Sequence, residues 1–320
     1  MSKRRTFSPR GVIPATLLAF DGDLGIDEAA TRAHLRHVAA VDGLSAITVN
    51  GHASEVHACS FDEQRRILDL SLDEVGDRLP LIDGVYADGS LEAARIARMA
   101  ETAGASALLV LPPQSMIMGG QMRPEMALAH FRTIADATDL PIILFQYPMA
   151  SGLGHPMETL LRLVEAVPSI VAIKDWCNEP MRHEQHIRVL QSLPRPVSVL
   201  TTHSSWLMAS LAMGAAGLLS GAGSVIAALQ VELFRAVQAR DLARAQAVND
   251  RIYPVAQAFY TAPFLDMHNR MKECLVMQGL LPRAVVRPPL VKLTDGEIAG
   301  LRRAMLAAGL IESADATAAE

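Results

Sequence analysis

Lysine is the scarcest of the common charges in this chain. Only Lys3, Lys174, Lys272 and Lys292 occur, and every other basic side chain is arginine or histidine. Aromatic residues are also few, 4% of 320, so aliphatic and methionine side chains must fill a core that a 50% hydrophobic chain can well support. With a formal charge of −5, no long-range field attracts nucleic acid or an acidic membrane surface, and no lysine stripe interleaves with aromatics. Nucleic acid and membrane are therefore not expected partners. The three cysteines, Cys59, Cys177 and Cys274, show neither CxxC nor zinc-ligand spacing. They fit a reducing cytoplasm, each as a small apolar filler.

Two stretches imitate targeting or membrane signals. "KRRTF" (3–7) resembles a twin-arginine start, but the apolar run after it is broken by Pro14 and leads to no small-residue cleavage site. The uncharged stretch 204–231 is long enough for a bilayer, yet "MGAAGLLSGAGS" (213–224) punctuates it with glycine and serine into helix, strand and helix. A cytoplasmic protein is the expectation.

What is present is a repeat of apolar runs and amphipathic segments. "GVIPATLLAF" (11–20), "LSAITVN" (44–50), "LPLIDGV" (79–85), "ASALLVLPP" (105–113), "LPIILFQYP" (140–148), "SIVAIKDW" (169–176), "PVSVLTT" (196–202) and "AGLLSGA" (216–222) read as strands, each followed by a segment of helical periodicity. Ser90 is a candidate N-cap, Gly104 a C-cap, and Pro124 an early helical residue. Near-continuous apolar strands imply a sheet covered on both faces. Eight strand–helix units in about 230 residues fit a closed (β/α)8 TIM barrel, with a doubly wound open sheet as the rival. Helical periodicity alone follows, giving an organisation of N-terminal arm 1–10, barrel 11–239, C-terminal three-helix extension 240–310 and tail 311–320.

Active sites of such barrels lie at the C-terminal ends of the strands. Those ends present Asn50, Gly51 and His52, then Phe145, Gln146 and Tyr147, then Lys174 and Asp175, with His203 and Ser220 after the last two strands. Lys174 is the strong nucleophile of the set. An ammonium drawn into an apolar barrel mouth loses hydration, its pKa falls, and free amine becomes available to condense with a ketone. A guanidinium stays protonated and cannot do this. The competing reading pairs Lys174 with Asp175 or another carboxylate.

Taken in order, "GVIPATLLAFDGDLGID" (11–27), "VNGHASEV" with "DEQRRIL" (49–68), "LIDGVYADGSLEAARIARMAETAGASALLVLPP" (81–113), "PIILFQYP" (141–148), "IVAIKD" (170–175), "MGAAGLLSG" (213–221) and "RPPL" (287–290) resemble the family of dihydrodipicolinate synthase and N-acetylneuraminate lyase over about residues 10–292. The resemblance implies a (β/α)8 barrel with three C-terminal helices, a homo-oligomer (tetramer or dimer), and Lys174 as the iminium-forming residue for pyruvate or another 2-oxo acid. No cofactor and no metal is required by that chemistry. A metal-dependent lyase would want clustered ligands at the strand ends, and His52 and His203 are too few.

The chain departs from the family pattern at two loops. Where relatives have Gly-Thr-Thr-Gly-Glu after strand two, this chain has Gly51-His52-Ala53-Ser54-Glu55. Backbone capture of the substrate carboxylate can survive at Ala53 and Ser54 without the threonine hydroxyls. His52 binds a carboxylate, relays a proton or is an exposed loop residue, and Glu55 reads as a brace. The family's Tyr-Asn-x-Pro becomes Phe145-Gln146-Tyr147-Pro148, so the proton-shuttling tyrosine is gone; Tyr147, on the same face if the strand stays regular up to Pro148, is either the candidate acid/base or a packing residue. The arginine for a second carboxylate would fall near Ala150, and the neighbouring subunit's tyrosine near Gln114. Both are absent, which argues against dihydrodipicolinate synthase itself. His203 is either a contact for the distal end of a substrate or a surface residue, and Ser220, after strand eight, is a candidate substrate-binding residue. The expected activity is a Schiff-base aldolase, with a dehydratase or deaminase using the same iminium, or a non-catalytic metabolite-binding barrel, as alternatives.

Overall fold

The computed structural model describes residues 7–312; the first six residues of the arm and the tail 313–320, with the readings made on them, lie outside the described residues. Eight parallel strands alternate with eight helices: β1 (Gly11–Pro14), α1 (Glu28–Ala39), β2 (Ile47–Val49), α2 (Phe61–Val75), β3 (Leu81–Val85), α3 (Ser90–Ala103), β4 (Ala107–Val110), α4 (Pro124–Ala135), β5 (Ile142–Gln146), α5 (Met157–Ala166), β6 (Ile170–Asp175), α6 (Pro180–Leu190), β7 (Ser198–Thr201), α7 (Leu207–Ala212), β8 (Gly217–Ser220) and α8 (Gly223–Gln238). Each strand pairs in sequence order, and β1 pairs with β8. Single bridges Val12↔Leu44 and Ala15↔Thr48 join β1 to β2, so the sheet returns on itself as a (β/α)8 TIM barrel. Three further helices follow, α9 (Leu242–Phe259), α10 (Met267–Met277) and α11 (Asp295–Ala307).

The strands are buried almost throughout because helices cover the outside and side chains fill the inside. Helix starts follow local chemistry. Ser60 and Glu63 form a reciprocal capping box on α2, Thr294 and Glu297 form one on α11, and Asp27 caps α1. Pro124 opens α4, and Gly104 ends α3 at φ +108°. Ser90 is not a cap. Gly89 holds that position, and the Ser90 hydroxyl meets His130 Nδ1 at 3.0 Å instead. The first strand is also shorter than its apolar run. After the bridge at Ala15 and the Thr16 N–H donated to Thr48 O, the Leu17 N–H goes to the Ser224 hydroxyl, so 17–20 leaves the ladder while staying buried.

No helix among the described residues is long and apolar enough to cross a membrane. The segment 204–231 divides into α7, β8 and the start of α8, as its glycines imply.

Candidate active site

Lys174 sits on β6 in register with Phe145 on β5 and Leu200 on β7. Alternation along β6 sends Lys174 and Asp175 to opposite sides. Asp175 lies among His183, His186 and the Cys177 N–H, which donate to its carboxylate at 2.8, 2.7 and 2.9 Å. Its burial would raise the carboxyl pKa, but these partners outweigh that and hold it far below the usual range. Lys174 therefore does not pair with Asp175, and among the described residues it has no carboxylate within ion-pair distance. Its Nζ lies 4.1 Å from the centre of the Phe145 ring. Burial pulls the amine down from the ordinary 10.5 to about 7.

A cavity of about 370 Å³ opens over this amine. His52, Ala53, Phe145 and Lys174 form its floor, and Trp176, Phe264 and Tyr260 form one wall. Those three rings stack in sequence, with centroids 4.8 Å and 5.4 Å apart. Thr202, Ser205, Gln257 and Thr261 add hydroxyl and amide groups. Among the described lining residues, Lys174 is the only lysine, arginine, aspartate or glutamate.

The loop after β2 carries His52 to this floor. It is set by Gly84, where a Cβ would lie 1.9 Å from Asn50 O, so β3 must be bare for the loop to turn over it. It is braced by Glu55, held at φ +52°, which is buried against the Lys272 ammonium and accepts the Arg287 N–H at 3.1 Å. Arg287, from "RPPL", also grips Glu63 and the Ala58 carbonyl. Lys272 is thus a structural lysine, and Glu55 is the brace its sequence position implied.

His52 is not an exposed loop residue. Its Nε2 lies 2.8 Å from the Tyr147 hydroxyl, and its ring packs edge-on against Tyr147 and tilted against Phe145. Burial, reinforced by the Lys174 charge, holds the imidazole well below its ordinary pKa, so it is neutral and shares a hydrogen bond between its Nε2 and the Tyr147 hydroxyl. Burial pushes the Tyr147 phenol upward. Phe145 and Tyr147 keep the two-residue alternation past the strand end, with ring centres 4.5 Å apart.

The remaining expected residues divide. His203 lines the cavity, with Nε2 accepting the Asn178 N–H at 3.0 Å. Ser54 is buried with its N–H on Gly51 O and its hydroxyl donating to Thr16 O at 2.8 Å, so it is turned away from the cavity. Gly51 shapes the same turn. Ser220 is not among the described lining residues and meets the cavity through the Ser204 hydroxyl, 3.2 Å away, and the Tyr260 hydroxyl. Both serines contact the hydroxyl of Tyr260, whose pKa burial raises. Tyr260, His268 and Phe264 belong to the C-terminal helices and escaped a reading confined to strand ends. So did the crowding of Asp175, Cys177, His183 and His203, because no short spacing announces it.

The sequence profile of the Dihydrodipicolinate synthetase family matches residues 8–308. The 4-hydroxy-tetrahydrodipicolinate synthase of Kineococcus radiotolerans is 31% identical over 300 residues, 93% of each chain. That of Acidothermus cellulolyticus is 33% identical over 297 residues, 92% of this chain and 90% of its own. Among solved structures, YagE of E. coli K12, a prophage protein of the same family solved in complex with pyruvate, superposes with a TM-score of 0.86 at 22% identity, covering 94% of this chain and 99% of its own. Profile, relatives and barrel agree: the chain belongs to the dihydrodipicolinate synthetase family and is an enzyme of its Schiff-base lyase kind.

Proposed function

We propose that the enzyme acts on a 2-oxo acid of the pyruvate type by aldolase chemistry, making or cleaving the C3–C4 bond, one carbon beyond the C2 that carries the Lys174 iminium. The observation that carries this reading is the buried, unpaired Lys174 amine at the floor of the cavity. The amine adds to the C2 carbonyl and water leaves, giving an iminium whose positive nitrogen accepts the electrons of the breaking C3–C4 bond. Cleavage requires a base for the C4 hydroxyl proton, and protonation of the enamine at C3 requires an acid. Tyr147, hydrogen-bonded to neutral His52, supplies a hydroxyl that can pass a proton in either direction and replaces the phenol lost at Phe145. Ala53, at the turn beside Lys174, offers its backbone N–H to the substrate carboxylate. His203 and Tyr260 line the wall available to the distal half of the substrate.

A second substrate carboxylate would meet no guanidinium in this cavity. The position near Ala150 provides none, which supports a substrate with an uncharged distal end over the dicarboxylate chemistry of dihydrodipicolinate synthase. The exposed apolar side chains Ile117, Met118, Met122 and Met126, clustered after β4, support assembly as a homo-oligomer. The three free cysteines fit a reducing cytoplasm.

Borohydride reduction in the presence of pyruvate, followed by peptide mapping, tests the reading. The expected adduct lies on Lys174, and its absence would remove the proposal. Turnover of hydroxy 2-oxo acids to pyruvate and an aldehyde supports the aldolase. Loss of water or ammonia with the carbon chain intact would show a dehydratase or deaminase, and an adduct without turnover a binding protein.

A further inference from the structure

Around the C-terminal end of β6, where Asp175 turns away from the Lys174 side, four side chains of metal-ligating type converge, and one of them, His203, also lines the cavity. Asp175 and Cys177 leave the end of β6, His183 stands in the first turns of α6, and His203 follows β7. All four are buried, and one donor atom of each lies within 4.8 Å of the others. We propose that these residues form a structural site for a divalent transition metal of the zinc class, one that pins the ends of β6 and β7 to α6. The proposal does not rest on the Lys174 chemistry, although His203 also lines the cavity over that amine.

The donor set is two imidazoles, one carboxylate and one thiol, which suits a borderline-soft ion in tetrahedral geometry. Charge also balances. A dication with the Asp175 carboxylate and a Cys177 thiolate is neutral overall, the arrangement a buried site tolerates best. Each nitrogen or oxygen ligand has its other polar atom already held. The Thr201 hydroxyl lies 3.3 Å from His203 Nδ1, leaving Nε2 as its donor atom. The Ser210 hydroxyl lies 2.7 Å from His183 Nε2, leaving Nδ1, the nitrogen beside Asp175. His186 Nδ1 and the Cys177 N–H hold the two carboxylate oxygens at 2.7 and 2.9 Å. Such outer partners set ring orientation and tautomer in metal sites.

Without the ion these atoms satisfy one another. His183 donates to Asp175, Asn178 N–H donates to His203 Nε2, and the thiol lies 3.9 Å from the same nitrogen. Tetrahedral bonds of about 2.0–2.3 Å place ligand atoms roughly 3.3–3.8 Å apart. The cluster therefore needs to contract by about 1 Å at its widest pair. Binding exchanges the thiol proton for the metal–sulfur bond and releases one proton. His183 moves its own proton from Nδ1 to Nε2, where Ser210 accepts it, and stays neutral.

The test uses the full-length protein, stripped with chelator, re-equilibrated with Zn2+ or Co2+, and desalted. Expected are one retained zinc per chain by elemental analysis, one proton released per ion, and thiolate-to-cobalt charge-transfer absorption in the cobalt form. Cys177→Ser and His203→Gln, with fold checked by near-UV circular dichroism, should each lower zinc affinity at least about 10–100-fold. No retained ion overturns the proposal. Equal retention by both folded variants, or a cobalt spectrum without thiolate absorption, places any ion elsewhere and overturns it as well. If the variants do not fold, the cobalt spectrum of the unaltered protein decides alone.

Discussion

Titration of Lys174 tests the chemistry most directly. The perturbation is pH, and the structure supplies the magnitude. An ordinary lysine at 10.5 is about 0.1% free amine at pH 7.5, whereas one at about 7 is mostly free. Iminium formation at Lys174 at pH 7.5 should therefore outpace that of a solvent lysine several hundred-fold before any gain from positioning. Between pH 8 and pH 6 the free amine falls about tenfold, and the initial rate of pyruvate adduct formation should fall with it. The assay is rapid-quench borohydride reduction read by intact mass, with Lys174→Arg as the control that forms no adduct. A rate still rising tenfold per pH unit between 8 and 10 would mean that the amine is hydrated or paired, and desolvation would be refuted as the cause. The same displacement has a stability consequence. Because the folded pKa lies below the unfolded one, Lys174 stabilises nothing at acid pH, and its penalty grows as pH falls from 10.5 toward 7. With each pH unit worth about 1.4 kcal/mol, that penalty reaches at most ~5 kcal/mol.

Tyr147→Phe should lower kcat about 10²–10⁴-fold while leaving the extent of pyruvate trapping unchanged; equal loss of trapping would mean that the hydroxyl serves binding or folding instead. Glu55→Ala leaves the Lys272 ammonium buried beside Phe20 without its carboxylate, so denaturant unfolding should show a loss of about 3–5 kcal/mol, and a change under 1 kcal/mol would contradict the bracing role. Asp83, buried on β3 and accepting from the Asn50 amide at 2.8 Å, is raised by burial from 3.8 to about 8. Its folded pKa lies above the unfolded one, so its contribution is complete below about pH 4 and disappears as pH rises through 8. Urea unfolding across that window should show a decline of a few kcal/mol, at most ~6, which Asp83→Asn removes; parallel curves for the two proteins would contradict it.

The repeat of apolar runs, the glycine punctuation and the strand-end lysine were legible in sequence because each depends on neighbours a few residues apart. Periods of two and 3.6 residues, a cap, or a lysine ending "SIVAI" report local backbone geometry and burial directly. From these the (β/α)8 order and Lys174 follow; Tyr147 was within reach because strand alternation orders side chains by parity, and Glu55 because its loop matches the family pattern. Where a local signal competed with an equally local alternative it misled: Ser90 has cap chemistry, but Gly89 precedes it and His130 takes its hydroxyl.

Closure of the barrel decided the rest. His52 and Tyr147 are 95 residues apart and meet at 2.8 Å only because the loops after β2 and β5 both open at the same end of the ring. Lys174 and Asp175 are adjacent in sequence yet part company, since the pleat turns one toward the cavity and the other toward three histidines. Cys177, a plausible filler by spacing, stands 3.9 Å from His203 because α6 and the β7 loop fold over the same strand end. Tyr260 and Phe264 enter the wall from the C-terminal helices, beyond the repeat altogether. Sequence alone determined which strand presents an amine; only the tertiary structure determined which groups share its low-dielectric surroundings, because those contacts form between residues far apart in the chain.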